Sequence, residues 1–269
     1  MSGPGERTAD PGTTSRLSAV DLARRFAGIR ALDGVSIDLA AGERVGLVGP
    51  NGAGKTTLLD CLSGSLSPHA GRVLLDGVDV TRASMHRRAR GGLARTFQRV
   101  GLFAEMTVRD HLVVAERAHR GVHALVGDLL GRGGLTADEI ARSDEILGGL
   151  GIGSLADSPV EALTLGQARL VEVARALATE PTVLLLDEPS SGLDRAETAA
   201  LAETLRRVQD DRDLAVLLVD HDLELVEGFT QRCVVLDFGR VIAAGPTTDV
   251  LVDPAVRAAY LGEPAGATP

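Results

Sequence analysis

Lys55 is the single lysine of the chain; every other cationic side chain is an arginine or a histidine. It stands in Gly49-Pro50-Asn51-Gly52-Ala53-Gly54-Lys55-Thr56-Thr57, which fits the spacing G-x-x-x-x-G-K-[ST]. These residue types share a use. Backbone N–H groups of a glycine-rich turn can surround anionic oxygens, and a lysine is a slim point charge that reaches between them. The hydroxyl that follows can ligate Mg²⁺. Leu184-Leu185-Leu186-Asp187-Glu188-Pro189 adds two carboxylates where an apolar run ends. Asp187 would hold Mg²⁺ directly or through water, and Glu188 would polarise a water for attack on a terminal phosphate. Alone, this is an ordinary solvated turn. In one chain with a phosphate-binding loop, the catalytic reading is the stronger.

Such chemistry needs a strand ending in the loop and a helix leaving it, so that the helix dipole adds to the loop amides. Glu43 to Val48 reads as that strand and Thr56 to Leu62 as that helix. Upstream, Leu17 to Leu39 alternates like strands or a hairpin, and Gly71 to Gly77 reads as a strand with a turn. From about Arg87 to Leu163 helical periods take over. Thr107 to Ala115 is one predicted helix; Thr136 to Leu150 is another, with Thr136 and Glu139 spaced as a capping box. Val183 to Leu186 and Ala215 to Val219, apolar on both faces, suit a buried parallel sheet. Cys233 to Leu236 reads as a third such run and Val241 to Ala244 as a fourth. A helix from Arg195 to about Asp210 joins the first two as a βαβ crossover.

The chain has 269 residues and a formal charge of −9, which argues against nucleic acid as a partner. Its two cysteines, Cys61 and Cys233, fall in apolar patterns and read as small core residues rather than a disulfide or metal ligands. No apolar run is long enough to cross a bilayer. Residues 1–16, rich in Gly, Pro, Ser and Thr, read as a disordered leader.

Leu163-Thr164-Leu165-Gly166-Gln167 precedes the helical run Ala168 to Ala178 and by itself is a helix start capped by Thr164. Ahead of the carboxylate strand, it resembles the signature segment of ATP-binding cassette (ABC) ATPases. The resemblance to the ATP-binding subunits of ABC transporters covers about Leu17 to Glu263. It implies an α/β fold: a P-loop NTPase core, mainly parallel sheet with flanking helices plus an N-terminal antiparallel part, with an inserted α-helical subdomain. The implied boundaries are a core of about 17–86 and 164–250, an insert of about 87–163, and a C-terminal helix of about 247–262. It also implies ATP and Mg²⁺ as ligands. Gln98, in Thr96-Phe97-Gln98, becomes the loop glutamine that senses Mg²⁺ and the attacking water. His221 becomes the switch histidine at the γ-phosphate, and Asp194, in Ser191-Gly192-Leu193-Asp194, lies in the loop linking two subunits. Phe26 is the candidate to stack the adenine, with a plain core role as the alternative.

In this family the signature segment of one subunit caps ATP held by another, so a two-fold dimer with an identical or paralogous ATPase is implied. The further partners are membrane permease subunits and, indirectly, a solute-binding protein, with the chain peripheral on the cytoplasmic face. Arg95-Thr96-Phe97-Gln98-Arg99-Val100-Gly101-Leu102-Phe103-Ala104-Glu105-Met106-Thr107-Val108, the stretch Arg120 to Ile140 and the ending Val256 to Glu263 look like the branched-chain amino-acid importer subgroup. Urea and amide importers share the first two, and lipopolysaccharide-export ATPases carry a related ending. Soluble non-transport ABC ATPases are the remaining alternative. Thr164 in place of serine, Leu165, Ala168 and Ser190-Ser191-Gly192-Leu193-Asp194 depart from the subgroup pattern without deleting a catalytic group. Arg82, Arg87, Arg88, Arg90, Arg95 and Arg99 read by default as a solvated basic face, with permease docking between core and insert as the functional alternative.

Overall fold

The computed structural model describes residues 15–96, 101, 103, 106–121, 134–210 and 212–261. Strands Ser15–Phe26 (β1) and Ile29–Ala40 (β2) form the expected hairpin across Ala27-Gly28. With Ala70–Leu75 (β4) and Val78–Asp79 (β5) they make an antiparallel sheet in the order β2-β1-β4-β5. A second sheet uses Arg44–Val48 (β3), Leu93–Arg95 (β6), Val183–Asp187 (β7), Ala215–Val219 (β8), Arg232–Asp237 (β9) and Arg240–Pro246 (β10). Its order is β10-β9-β3-β8-β7-β6, parallel throughout except at the antiparallel β9–β10 pair.

Helices fill the remainder: Lys55–Ser63 (α1), Met85–Arg90 (α2), Val108–Arg120 (α3), Ala137–Gly149 (α4) and Leu165–Leu177 (α5). Arg195–Asp210 (α6) crosses from β7 to β8, and Leu223–Phe229 (α7), Thr247–Val252 (α8) and Pro254–Leu261 (α9) follow. The central strands β7 and β8 are buried on both faces because Val183 to Leu186 and Ala215 to Val219 are apolar at every position. Leu184, Leu186, Val216 and Leu218 enter one core, with α5, α6 and the helical insert. Val183, Leu185, Ala215 and Leu217 enter the other, beneath the antiparallel sheet and α1. Each buried leucine stabilises this layer by about 1.5–3 kcal/mol.

Some expectations need correction. Ser15 and Arg16, assigned to the leader, already belong to β1; residues 1–14 lie outside the described residues. The stretch from about Arg87 to Leu163, read as helical periods with few strand signals, contains β6, which pairs with β7 in the main sheet. The C-terminal helix is two helices, because Pro254 lacks an N–H and Asp253 turns to accept from the Ala255 N–H at 2.7 Å. Of the six arginines, Arg99 lies outside the described residues, and the other five do not share one solvated face. Arg88 is 1% exposed, and its guanidinium donates to the carbonyls of Cys61 and Leu62 at 2.6 Å and of Thr81 at 3.0 Å. It thereby satisfies orphan carbonyls at the C-terminal end of α1, the helix whose other end opens on the glycine-rich loop.

Both cysteines are buried, and burial pushes the thiols up to about 11 for Cys61 and about 12 for Cys233. Since the thiolate is the reactive form, a thiol reagent at about pH 8 is expected to label neither in the folded chain and both after denaturation. Labelling in native buffer would contradict this core assignment.

Candidate functional site

Strands β3, β8 and β7 lie side by side and run parallel, so the loops after them emerge at one edge of the sheet. These loops carry the glycine-rich turn, Asp220-His221, and Asp187-Glu188. Strand order thus assembles three segments that are far apart in sequence.

The turn between β3 and α1 depends on glycine at two positions. Gly49 has φ +148°, and a Cβ there would lie 2.1 Å from the Leu236 carbonyl oxygen. Gly54 has φ +107°, and its Cβ would lie 2.3 Å from the Ala31 carbonyl oxygen. The loop is buttressed from outside by the β9–β10 turn, where the Gly239 N–H donates to Ala53 O at 2.9 Å. Lys55 is 9% exposed, and its Nζ donates to Gly49 O at 2.6 Å and Pro50 O at 3.0 Å. Burial pulls the ammonium's pKa down, and the negative charge of Glu188 opposes it. A buried ammonium curled onto the carbonyls of its own loop is placed to exchange them for phosphate oxygens. Asn51, Gly52 and Thr56 are exposed beside it, Pro50 and Thr57 are half-buried, and Ala53 is buried.

Asp187 closes β7 with its backbone N–H donating to Thr96 Oγ1 at 3.2 Å. Its Oδ2 accepts from Arg95 Nη2 at 2.8 Å. Glu188 follows in the left-handed region, φ +48°, its N–H donating to Val219 O at 2.7 Å across to β8. A non-glycine residue there costs about 1–3 kcal/mol, a strain that recurs where a side chain must be aimed. His221 is exposed, with Nδ1 3.6 Å from Asp220 Oδ1. Gln98 lies outside the described residues.

Sequence reasoning passed over Asp220. It is fully buried and accepts from the Ser190 hydroxyl at 2.7 Å, the Ser190 N–H at 3.1 Å and the N–H groups of His221 and Asp222 at 2.8 and 3.0 Å. One carboxylate therefore locks the His221 loop to the segment after Glu188. The signal was available: an Asp at the end of an apolar strand, too deep to be solvated, requires donors nearby.

The segment Leu163 to Gln167 begins α5 with Thr164 as cap. The Thr164 hydroxyl accepts from the Gln167 N–H at 3.3 Å, and Gln167 Oε1 accepts from the Thr164 N–H at 2.9 Å. Gln167 is thus committed to the cap, while Leu165 stays 44% exposed and Gly166 lies against Leu193 and Glu197. Arg169 Nη2 donates to Ser191 O at 3.3 Å, tying this helix to the Ser190–Asp194 turn. Asp194 makes its own reciprocal cap with Glu197 at the start of α6. Phe26 ends β1 and is 44% exposed with the Arg24 guanidinium 4.9 Å from its ring centroid, so the plain core role does not hold for it.

These residues suit a magnesium–nucleotide. Among the described residues no group of three His, Cys, Asp or Glu side chains could cage a metal. A cation here would draw on the Thr56 hydroxyl, the Asp187 carboxylate and oxygens of its ligand, as Mg²⁺ at phosphates does.

A groove of about 380 Å³ opens between β6, α2, α3 and α5, with Met85, Ala89, Met106, Val114 and Ala118 among its walls. At its rim Phe103 stacks on His111, whose Nε2 accepts from the Phe103 N–H at 2.8 Å.

Comparison with known proteins agrees with this geometry. Residues 32–191 match the family model for ABC transporters, and 240–266 match that for the branched-chain amino acid ATP-binding cassette transporter. The high-affinity branched-chain amino acid transport ATP-binding protein BraF of Pseudomonas aeruginosa is 36% identical, covering 92% of this chain and 98% of its own. LivG of Escherichia coli K12, of the same description, is 36% identical with the same coverage. The lipopolysaccharide export system ATP-binding protein LptB of that strain is 34% identical over 92% of this chain and 97% of its own. Among solved structures, the ADP conformation of MJ1267, an ATP-binding cassette of an ABC transporter, superposes with a TM-score of 0.82 at 29% identity. It covers 93% of this chain and all of that one. A nucleotide-free ATP-binding cassette gives 0.81 at 30% identity with the same coverage.

Proposed function

The chain belongs to the ABC transporter family, and on that premise we propose that it is the ATP-hydrolysing subunit of an importer that powers uptake of branched-chain amino acids through a separate permease. One observation supports the ATPase reading above others: Lys55, Asp187, Glu188 and His221 come from separate segments to one sheet edge. Similarity to BraF and LivG along nearly their whole length, with the C-terminal match, favours the importer over lipopolysaccharide export.

In this reading the loop Gly49–Thr57 and Lys55 bind the triphosphate, and Phe26 stacks the adenine. Mg²⁺ held by Thr56, Asp187 and Gln98 supplies charge neutralisation at the phosphate oxygens. Glu188 takes the proton of the attacking water, aimed by its strained backbone, and His221 contacts the γ-phosphate from β8. Two subunits pair about a two-fold axis. Leu163, Thr164, Leu165, Gly166 and Asp194 of each face the nucleotide of the other, with Gln167 shaping the helix end that presents them. Closing on ATP and opening after hydrolysis would be passed to the permease through the apolar groove beside β6, which suits a short helix of that chain.

Among the described residues no helix is long and apolar enough to cross a membrane. As the ATPase of such an importer, the chain would attach to the permease from the cytoplasmic side. The test is reconstitution with candidate permease subunits and a binding protein, using leucine, isoleucine, valine, urea and short amides. Uptake of the branched amino acids that requires ATP is the expected result. Hydrolysis that the permease never stimulates, or preference for urea or amides, would overturn the assignment.

A further inference from the structure

Arg95 sits at the end of β6 with its guanidinium spread between two acids from different elements. Nη1 donates to Asp60 Oδ1 at 2.6 Å and to Ser63 Oγ at 3.1 Å, both on α1; Nη2 donates to Asp187 Oδ2 at 2.8 Å on β7. The side chains of Arg95 and Asp187 are 7% and 8% exposed, whereas Asp60 is 34% exposed. The planar fork spans both acids at once, which a lysine could not do. Arg95 also lines the apolar groove, so one side chain touches both the groove and the carboxylate assigned to the metal.

We infer that Arg95 is a positioning residue of the metal site: by dividing its charge between Asp60 and Asp187 it holds the Asp187 carboxylate and sets how strongly that carboxylate attracts a divalent cation. Arg95 engages Oδ2 of Asp187, the carboxylate that would hold the metal. A cation at this distance opposes the approach of a second one. The pull from Asp60 draws the guanidinium toward α1 and relieves that opposition. Movement at the groove that displaces β6 would change this balance without passing through Gln98. The inference rests on the reading of Asp187 as a metal-site carboxylate.

The two acids predict opposite signs. Arg95→Gln exposes the full charge of Asp187 and is expected to tighten divalent-metal binding about three- to tenfold. Asp60→Asn removes the competing negative charge from the guanidinium, leaving its bond to Ser63 in place, and is expected to weaken it about two- to fivefold. The measurement is a Mn²⁺ titration of the full chain in excess over a non-hydrolysable ATP analogue, with free Mn²⁺ followed by electron paramagnetic resonance. Affinity for the analogue in EDTA is the control. Opposite shifts support the inference; shifts of one sign, or none, overturn it, because loss of packing alone has no reason to act in opposite directions. If Arg95→Gln does not fold, Asp60→Asn at its more exposed position decides by itself: weaker Mn²⁺ binding supports the inference and unchanged binding overturns it. Absence of analogue binding by the wild type would instead defeat the nucleotide reading.

Discussion

Glu188→Gln is expected to bind ATP normally, hydrolyse it about 10²–10⁴-fold more slowly and accumulate as an ATP-bound dimer. Glutamine keeps the volume and hydrogen-bonding reach of glutamate but cannot take a proton from water. The backbone that aims the side chain is held from both directions. The Glu188 N–H donates to Val219 O, and its carbonyl accepts from the Ser191 N–H at 3.1 Å. The substitution should therefore leave the loop in place. Removing the negative charge that faces Lys55 also favours retention of the triphosphate. Rapid-quench kinetics and size-exclusion chromatography with Mg-ATP check both parts. Normal turnover would exclude Glu188 as the base, and slow turnover without dimerisation would detach the signature segment from the site.

Lys55→Ala is expected to weaken ATP binding by about 10- to 150-fold, the loss of one to two charge-assisted hydrogen bonds. The ammonium is 9% exposed and burial pulls its pKa down, so phosphate oxygens would replace the Gly49 and Pro50 carbonyls around a charge largely shielded from water. Lys55→Arg should also fail, keeping the charge but not the shape. The room around Nζ is bounded by the Gly49 and Pro50 carbonyls, which a planar fork would strike. Calorimetric titration of both variants is the measurement. Unchanged affinity in Lys55→Ala would mean that the loop does not bind phosphate.

Local chemistry was legible wherever it depends on neighbours in sequence. The glycine-rich turn, the cap of α4 by Thr136 and Glu139, and the α6 crossover stand where the residue pattern placed them. The Thr107–Asp110 capping box shows the same local logic at α3, although its acid was not singled out beforehand. β6 escaped because it spans only Leu93–Arg95; so short a strand has no period and exists through pairing with β7. Arg88 and Arg95 escaped for a related reason. Arginine is a surface residue by default, and only converging carbonyls and carboxylates from several segments make its burial favourable. The C-terminal break was readable in Pro254 and was missed.

By itself the sequence determined which class of ligand this protein can bind, because a phosphate loop is built from the φ angles and amides of consecutive residues. It also determined that the central strands of the main sheet are buried, because strands apolar on both faces have no other stable place. Only the tertiary structure decided which groups meet. The order β3-β8-β7 brings Lys55, His221 and Glu188 to one edge, Asp220 ties two of those loops together, and Arg95 lies between Asp60 and Asp187. Strand order and buried ion pairs are settled by contacts between distant segments, and no periodicity along the chain encodes them.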